Sequence, residues 1–202
     1  VTRVEPHRSG VRVFTRRGVV HASTVIVATG YATPEFRPLA GRFAMHRTYV
    51  MATAPLTRRQ RADIGLGPVM LWDTERPYHY ARWTSDHRLL LGGEDRLVKP
   101  GASRRAAFTR ATTALRAHFC RLLPALHDVS FEHAWEGLFA MTPDTLPLVG
   151  THRRYPRHLF ALGYGGNGMT FGYLAATQLL EQWRGKRSPD HDLFAFNRPR
   201  RC

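Results

Sequence analysis

The residues whose types and spacing suit chemistry lie in the stretch 159–180, LFALGYGGNGMTFGYLAATQLL. A short apolar run breaks into glycines before an Ala/Leu-rich helical pattern, which predicts a strand that enters a helix through a tight turn. Glycine permits positive φ angles and has no Cβ atom, so its backbone can lie directly against a ligand. The helix start adds unpaired N–H groups, which favour a flat or anionic cofactor. The glycines are Gly163, Gly165, Gly166 and Gly168.

Three of these glycines, Gly163, Gly165 and Gly168, match the G-x-G-x-x-G fingerprint of dinucleotide-binding βαβ units. That fingerprint requires a second parallel strand with an acidic residue about 20 residues further on. After Trp183 the chain offers only a polar stretch and HDLFAFNRPRRC, so no strand completes the unit. The glycine turn alone therefore indicates either tight packing or a ligand contact of another kind.

The composition predicts a globular protein of one domain or two closely packed lobes, because its 202 residues are 43% hydrophobic. The formal net charge is +15, and every Lys or Arg position except Lys99 and Lys186 is arginine. Such a charge is typical of proteins that bind nucleic acid. The arginines are spread in ones and twos and are not interleaved with aromatic residues, so nucleic-acid binding is the less favoured alternative.

No metal site, disulfide framework or membrane-spanning helix is predicted. Cys120 and Cys202 have no C-x-x-C spacing, and the histidines form no H-x-x-x-H or H-E-x-x-H pattern, so His79 and His133 are interpreted as strand residues. No run of about 18 apolar residues occurs. The chain opens on Val1 inside what resembles a strand, so we expect that an N-terminal region is missing and that the lack of a signal peptide says little. The expected location is the cytoplasm.

The pattern of elements predicts an α+β fold. Residues 11–15 and 19–22 indicate a hairpin, and TVIVATG at 24–30 indicates a strand buried on both faces, as in a parallel sheet. From Ser103, a predicted N-cap, apolar residues recur at helical spacing as far as Pro124, which predicts a helix over 103–123. The other strand patterns, antiparallel before the helix and returning to α/β after it, are 49–54, 68–72, 78–83, 88–93, 129–135 and 159–162.

Four motifs in this order resemble the D-amino-acid-oxidase-like family of FAD-dependent oxidoreductases, and together they cover essentially the whole chain. They are ASTVIVATG at 22–30, LLLGGED at 89–95, TPDTLPLVG at 142–150 and LFALGYGGNGMTFG at 159–172. The resemblance implies FAD as the cofactor. It also implies a partial, Rossmann-like FAD-binding lobe over 1–42 and 136–202, and an antiparallel-sheet substrate-binding lobe over 43–135.

The resemblance further implies that the chain is the C-terminal half of such an enzyme. The Rossmann strand, glycine fingerprint and acidic residue that begin the family's FAD domain are absent from this sequence. In the family that unit anchors the ADP half of FAD. We therefore expect this portion alone to bind FAD weakly or not at all and to be inactive, with the missing N-terminal half as its partner.

By the same resemblance, two segments contact FAD. Ala28 and Gly30 would lie near the adenosine, although a buried small-residue turn explains them equally well. The glycine turn would cover the isoalloxazine ring, where backbone donors and a helix N-terminus stabilise the charge of the reduced ring. The candidate residues of the turn are Gly165, Gly166, Asn167, Gly168, Met169 and Thr170.

Several of these residues also have a structural interpretation. Asn167 fits a left-handed turn residue and Thr170 a helix N-cap equally well, while Met169 and Phe171 are more typical of a core. Thr-Pro-Asp is a strong turn signal, so Asp144 is predicted to shape its loop and not to act as a catalytic base.

One face of the strand 78–83 is expected to line the substrate cavity, but alternation does not say which. The two faces carry Tyr78, Tyr80 and Arg82 on one side and His79, Ala81 and Trp83 on the other. We take Tyr78, Tyr80 and Arg82 as the candidate substrate contacts.

The substrate class follows from a departure from the family pattern. Amino-acid-oxidising members commonly hold the carboxylate with an arginine just before the T-x-D loop, where this chain has Phe139 and Ala140. The segment 135–150 is more similar to amine-oxidising members such as gamma-glutamylputrescine oxidase. We expect oxidation of an amine or amino-acid C–N bond to an imine, with amines preferred. The alternatives are a catalytically incompetent, truncated remnant and a basic nucleic-acid-binding protein.

Overall fold

The computed structural model describes residues 1–198. Strands and helices are mixed over these residues, which confirms the predicted α+β class. The strands are β1 (Arg3–His7), β2 (Gly10–Thr15), β3 (Gly18–Ala22), β4 (Val25–Gly30), β5 (Ala44–Thr53), β6 (Met70–Trp72), β7 (Tyr80–Trp83), β8 (Leu89–Leu97), β9 (Phe131–Met141), β10 (Leu148–His152) and β11 (Tyr155–Leu162). The helices are α1 (Arg58–Ile64), α2 (Arg104–Leu122), α3 (Gly168–Trp183) and α4 (Pro189–Leu193).

The chain divides into two compact units, one made of Val1–Met45 with Phe139–Cys202 and the other of His46–Leu138. In the first unit, β1, β2 and β3 form one sheet, and β10, β11 and β4 form another in that order. The remaining sheet has the order β6-β7-β8-β5-β9. The cofactor and substrate roles of the segments 1–42, 43–135 and 136–202 remain predictions.

The N-terminal hairpin forms as its sequence predicts. Strands β2 and β3 pair antiparallel from Val11 opposite Ala22 to Thr15 opposite Gly18, and Gly18 has the positive φ of +140° that closes the turn. Strand β1 pairs with the other edge of β2 and extends the hairpin to three strands.

Strand β4 departs from its sequence prediction. Its parallel pairing is confirmed, because Val27 lies opposite Phe160 of β11. Burial on both faces is wrong, because Val27 is 6% exposed whereas Ile26 is 59% exposed. The face with Val27 packs against Phe36 and Leu162. The other face is only partly covered, as the exposure of Ile26 shows. Over the described residues β4 is also the last strand of its sheet, so one of its edges is unpaired there.

The core of the second unit lies between α2 and the five-stranded sheet. Helix α2 begins after Ser103, whose hydroxyl accepts a 3.3 Å hydrogen bond from the N–H of Ala106, so the predicted helix and N-cap are confirmed. Leu115 and Phe119 are buried and pack in one cluster with Leu91 of β8. Burial of side chains of this size stabilises the fold by roughly 1.5–3 kcal/mol each.

No helix within residues 1–198 is long and apolar enough to cross a membrane. Cys120 is buried and is not in a disulfide, and Cys202 lies outside the described residues.

Candidate functional site

The two segments predicted to contact a cofactor meet at one edge of a sheet in the first unit. Strands β4 and β11 are parallel, so their carboxyl ends lie at the same edge, where open α/β sheets bind ligands. The N–H of Gly163, just after β11, donates a 2.8 Å hydrogen bond to the carbonyl oxygen of Gly30. A Cβ on Gly30 would lie 3.9 Å from the Tyr164 ring. Gly30 and the glycine turn are therefore neighbours.

The first half of the glycine turn is fixed by packing. Gly163 has φ +79°, and a Cβ there would come within 2.8 Å of the Phe43 ring, so this position requires glycine. Gly165 has φ +57°, and its N–H donates a 3.0 Å hydrogen bond to the carbonyl oxygen of Ala140. These contacts with other residues of the protein therefore fix the backbone path of the turn.

The second half of the turn, residues 166–170, is exposed. Helix α3 begins at Gly168, where a Cβ would meet no atom within 4 Å. Asn167 is the N-cap residue, since its carbonyl oxygen accepts the N–H of Phe171 at 3.0 Å, but its side chain makes no capping hydrogen bond. The first turn of α3 also has no acidic residue. Its N–H groups are therefore available to a ligand.

Three structural interpretations of this turn are wrong. Asn167 has φ −101°, so it is not left-handed, and it occupies the N-cap position that was considered for Thr170. Met169 is 92% exposed and is not a core residue. The cause is that α3 begins two residues before Thr170, which turns Met169 outward. Phe171, within α3, packs against the core cluster that includes Ala175 and Leu179, as predicted.

An apolar cleft of about 320 Å³ lies between β4 and α3. Ile26 and Ala28 line one side, and Leu180 and Trp183 line the other. Ile26, Leu180 and Trp183 are all exposed, and an apolar surface of this kind is typical of an interface. Ala28 is thus close to Gly30 along β4 but lies on the face turned toward this cleft. Its contact with adenosine remains a prediction.

Asp144 is held by an arginine. Nε and Nη2 of Arg198 each donate a 2.7 Å hydrogen bond to its carboxylate, and Arg198 also donates to the carbonyl oxygens of Leu146 and Pro147. The hydrogen bonds from Arg198 are the main reason that the pKa of Asp144 falls from 3.8 to about 2. The carboxylate also accepts the N–H of Leu146 at 3.3 Å. These contacts support a loop-shaping role for Asp144.

In the second unit, the face of β7 turned away from α2 carries Tyr80 and Arg82. Ala81 lies opposite Leu91 of β8 and packs in the core with α2, so alternation directs its neighbours to the other side. The ring of Tyr78, just before β7, has its centroid 6.3 Å from that of Tyr80. The structure thus shows which face of β7 packs toward α2 and which face is turned away from it. Contact of Tyr78, Tyr80 and Arg82 with a substrate remains a prediction.

The sequence analysis missed a bulge in β8. The register of β5 with β8 shifts between Arg47 and Tyr49, so Glu94 and Asp95 both lie opposite Thr48. Glu94 has the left-handed φ of +57° that accommodates the extra residue. Both carboxylates belong to the LLLGGED motif. The alternation of apolar and polar residues does not reveal an extra residue in one strand, so the bulge could not be predicted from the sequence.

The bulge brings the partly buried carboxyl group of Asp95 near Tyr80. Oδ1 of Asp95 is buried and has no hydrogen-bond partner among the described residues. Burial is the main cause that raises the pKa of Asp95, and burial followed by the Asp95 charge raises the pKa of Tyr80.

The structure also gathers four possible metal ligands that the sequence spacing does not reveal: Asp73, Glu75, His79 and His118, with ligand atoms within 4.8 Å of one another. The two imidazole rings are stacked, with centroids 3.9 Å and planes 23° apart. Because a ring nitrogen binds a metal along the ring plane, nearly parallel rings do not direct their lone pairs at one ion. Asp73 Oδ1 accepts the backbone N–H groups of Glu75 and His79. We therefore interpret this group as a network that fixes the β6–β7 turn.

The chain is similar to known proteins in sequence and in fold. The family model described as DAO, FAD dependent oxidoreductase, matches residues 1–182. Gamma-glutamylputrescine oxidoreductase of Escherichia coli (strain K12) is 29% identical over 188 residues, which cover 92% of this chain and 42% of that protein.

Two solved structures illustrate the shared fold. Glycine oxidase from Geobacillus kaustophilus superposes with a TM-score of 0.75 at 18% identity, covering 100% of this chain and 52% of that one. L-proline dehydrogenase from P. horikoshii superposes with a TM-score of 0.73 at 19% identity, covering 96% and 52%. The chain spans about half the length of the relatives that it matches.

Proposed function

Because this chain belongs to the DAO family of FAD-dependent oxidoreductases, we propose that it is part of a flavoenzyme that oxidises the C–N bond of an amine or amino acid to an imine. The observation that carries this proposal is the junction of Gly30 with the glycine turn, followed by the uncapped start of α3. This junction lies at the carboxyl edge of two parallel strands, which is the ligand-binding edge of open α/β sheets.

The residues of the turn fit a flat, electron-accepting ring. No atom lies within 4 Å of a Cβ on Gly168, so the backbone there is open to close approach. The N–H groups at the start of α3 favour negative charge. When bound, FAD supplies the hydride-accepting ring. We assign this contact to Gly165, Gly166, Asn167, Gly168, Met169 and Thr170, and the adenosine side to Ala28 and Gly30.

The residues of this chain bind and orient the substrate in the proposed reaction. The Asp144 carboxylate is ion-paired with Arg198, so we assign no proton transfer to it. A neutral amine needs no side-chain base if it is held close to the acceptor and in line with it, so the main contribution of the site is orientation.

We favour an amine as the substrate. Positions 139 and 140 are Phe139 and Ala140, so the arginine that would clamp a carboxylate there is absent from the sequence. The name of the Escherichia coli relative, gamma-glutamylputrescine oxidoreductase, supports the same preference. Tyr78 and Tyr80 are the proposed substrate contacts together with Arg82, which would bind a carboxylate if the substrate carries one.

We further propose that the chain is the C-terminal portion of the enzyme and docks onto an N-terminal half that binds the ADP part of FAD. Its coverage of about half of each relative supports this division. The open edge of β4 and the exposed Ile26 beside it supply an apolar docking surface. The portion alone would then bind FAD weakly.

The test is to express the chain joined to its upstream half, purify the protein and record its flavin absorbance. Amines and amino acids are then added without oxygen. We expect a yellow protein that amines bleach. A colourless protein would contradict the proposal, and a yellow protein that none of these compounds reduces would indicate the incompetent remnant. The nucleic-acid alternative has no support among the relatives; its signature would be an affinity that falls steeply with salt.

A further inference from the structure

We propose that a basic cavity in the first unit binds a diphosphate group, either free or as part of a nucleotide. The cavity has a volume of about 650 Å³ and lies where the hairpin turn between β10 and β11 meets the 3₁₀ segment Pro34–Arg42. Three arginines line it: Arg42, Arg153 and Arg154. The inference goes beyond the proposed function and does not depend on it.

The cavity lies at the opposite end of β11 from the glycine turn. Arg153 and Arg154 form the turn that precedes Tyr155, the first residue of β11, whereas the glycine turn follows Leu162, the last residue. At about 3.3 Å per residue, the length of β11 places the two ends roughly 23 Å apart. A ligand in the cavity therefore does not occupy the space of the proposed flavin contact.

The positive charge of the cavity is not neutralised by residues 1–198. Within this range none of the three arginines forms a salt bridge, and no aspartate or glutamate lines the cavity. Like charges around one cavity repel each other, so the entry of an anion relieves this repulsion. The cavity therefore favours an anionic ligand.

The donors around the cavity suit phosphate oxygens. An arginine guanidinium presents its N–H groups as a planar fork that fits two oxygens at once. Nη1 of Arg42 donates a 3.0 Å hydrogen bond to the carbonyl oxygen of Phe196, which anchors this side chain. Thr151 and Asn197 also line the cavity and offer a hydroxyl and an amide donor. The cavity is larger than one phosphate group and has three forks, which favours two linked phosphates.

His152 lines the same cavity and is held as a neutral donor. Its Nδ1 accepts a 3.2 Å hydrogen bond from the N–H of Arg154, so the ring proton is on Nε2. The ring packs edge-on against Phe196, with centroids 5.1 Å and planes 75° apart. Burial, followed by the charges of the three arginines, lowers the pKa of His152. A bound anion offsets those charges and would raise this pKa.

Isothermal titration calorimetry tests the site in the chain joined to its upstream half. The protein is saturated with FAD beforehand, so that its flavin site does not take up the probe. The probes are phosphate, pyrophosphate and ADP. We expect pyrophosphate to bind saturably and more tightly than phosphate. Tighter binding of ADP than of pyrophosphate would identify a nucleotide as the source of the diphosphate, and equal or weaker binding would identify the free diphosphate.

The decisive variant combines Arg153→Gln with Arg154→Gln. It removes two of the three forks from an exposed turn, and we expect pyrophosphate binding to weaken roughly 10- to 100-fold. The matched control combines Arg16→Gln with Arg17→Gln. This pair also occupies an exposed hairpin turn, between β2 and β3, but does not line the cavity. The control makes the same change of charge and should leave the affinity nearly unchanged.

The titration of His152 provides a readout that depends on its position in the cavity. Its imidazole signal is followed by NMR against pH and is assigned by its absence from the spectrum of His152→Gln. We expect pyrophosphate to raise the pKa of His152. The charges that act on this ring are those of Arg42, Arg153 and Arg154, so the variant at the last two positions should raise the pKa without any ligand.

Three results would overturn the inference. One is the lack of saturable pyrophosphate binding at millimolar concentration, or an equal affinity for phosphate. Another is an equal loss of affinity in the control at Arg16 and Arg17, which would show that the net charge of +15 attracts the probe without a specific site. The third is a pKa of His152 that pyrophosphate does not change. Flavin reduction by amines is measured separately, so the proposed function stands or fails independently of these results.

Discussion

The N–H of Gly163 donates a 2.8 Å hydrogen bond to the carbonyl oxygen of Gly30. The bond joins two segments that are far apart in the sequence and ties the glycine turn after β11 to the end of β4. Because Phe43 packs against Gly163 as well, the turn is preorganised by protein contacts. Its fold and its ligand contact are therefore separable by substitution, since Gly163 lies against protein and Gly168 does not.

Gly168→Ala should remove flavin binding without loss of stability. The new Cβ meets no protein atom within 4 Å, and alanine is favoured over glycine inside a helix by roughly 1 kcal/mol. The same Cβ would occupy the space that a flat ring needs.

Thermal unfolding and the ratio of flavin to protein absorbance of the full-length enzyme measure the two effects. Gly41→Ala, also without a contact within 4 Å, should change neither. Full flavin content in Gly168→Ala would rule out the proposed backbone contact.

Features set by neighbouring residues were predicted well from the sequence. The hairpin turn before Gly18, the Ser103 cap of α2 and the parallel partnership of β4 depend on local turn chemistry or on strand composition. Asp144 was likewise predicted to shape its loop, because Thr-Pro-Asp is a turn signal wherever it occurs.

Features set by tertiary packing were not predictable from the sequence. Ile26 has the composition of a buried strand, yet its exposure depends on what covers that face of β4. Met169 is apolar, but the start of α3 at Gly168 turns it outward. The position of Asp95 opposite Thr48 depends on a register shift between strands that are more than 35 residues apart in the sequence.

Asp144→Asn should weaken the fold more at neutral pH than in acid. The folded-state pKa of Asp144 is about 2 against an ordinary 3.8, mainly because of the bonds from Arg198. Such a lowered pKa contributes stability that is present above 3.8 and is lost as the pH falls through about 2. The difference corresponds to roughly 2 kcal/mol.

Urea unfolding of the Asp144→Asn variant and the wild type at pH 7 and pH 2 would measure this dependence. Asp63→Asn serves as the control, because its carboxylate is exposed. An equal loss of unfolding free energy at both pH values would show that the ion pair with Arg198 is not the cause.

Ile26→Lys should reduce self-association of the chain when it is expressed alone. Ile26 lies on an edge strand beside an apolar cleft, and exposed edges of this kind pair with other chains. Light scattering against concentration measures the effect. Val20→Lys, at another exposed apolar position on β3, is the control and should have a smaller effect.

In the full-length enzyme, Ile26→Lys should lower flavin content. Wild-type flavin content there would contradict docking of the N-terminal half on this face.

Asp95→Asn should stabilise the protein at neutral pH. Burial raises the pKa of Asp95, so the folded state favours the protonated carboxyl group and is destabilised when the group ionises. For an acid whose pKa is raised on folding, the contribution to stability is fully present below the unfolded pKa and is lost as the pH rises through the folded value. The neutral amide does not ionise. The unfolding temperature of the variant should therefore exceed that of the wild type by more at pH 7.5 than at pH 4, while Asp63→Asn shows no such trend. A loss of stability at pH 7.5 would instead indicate that the ionised carboxylate holds the fold.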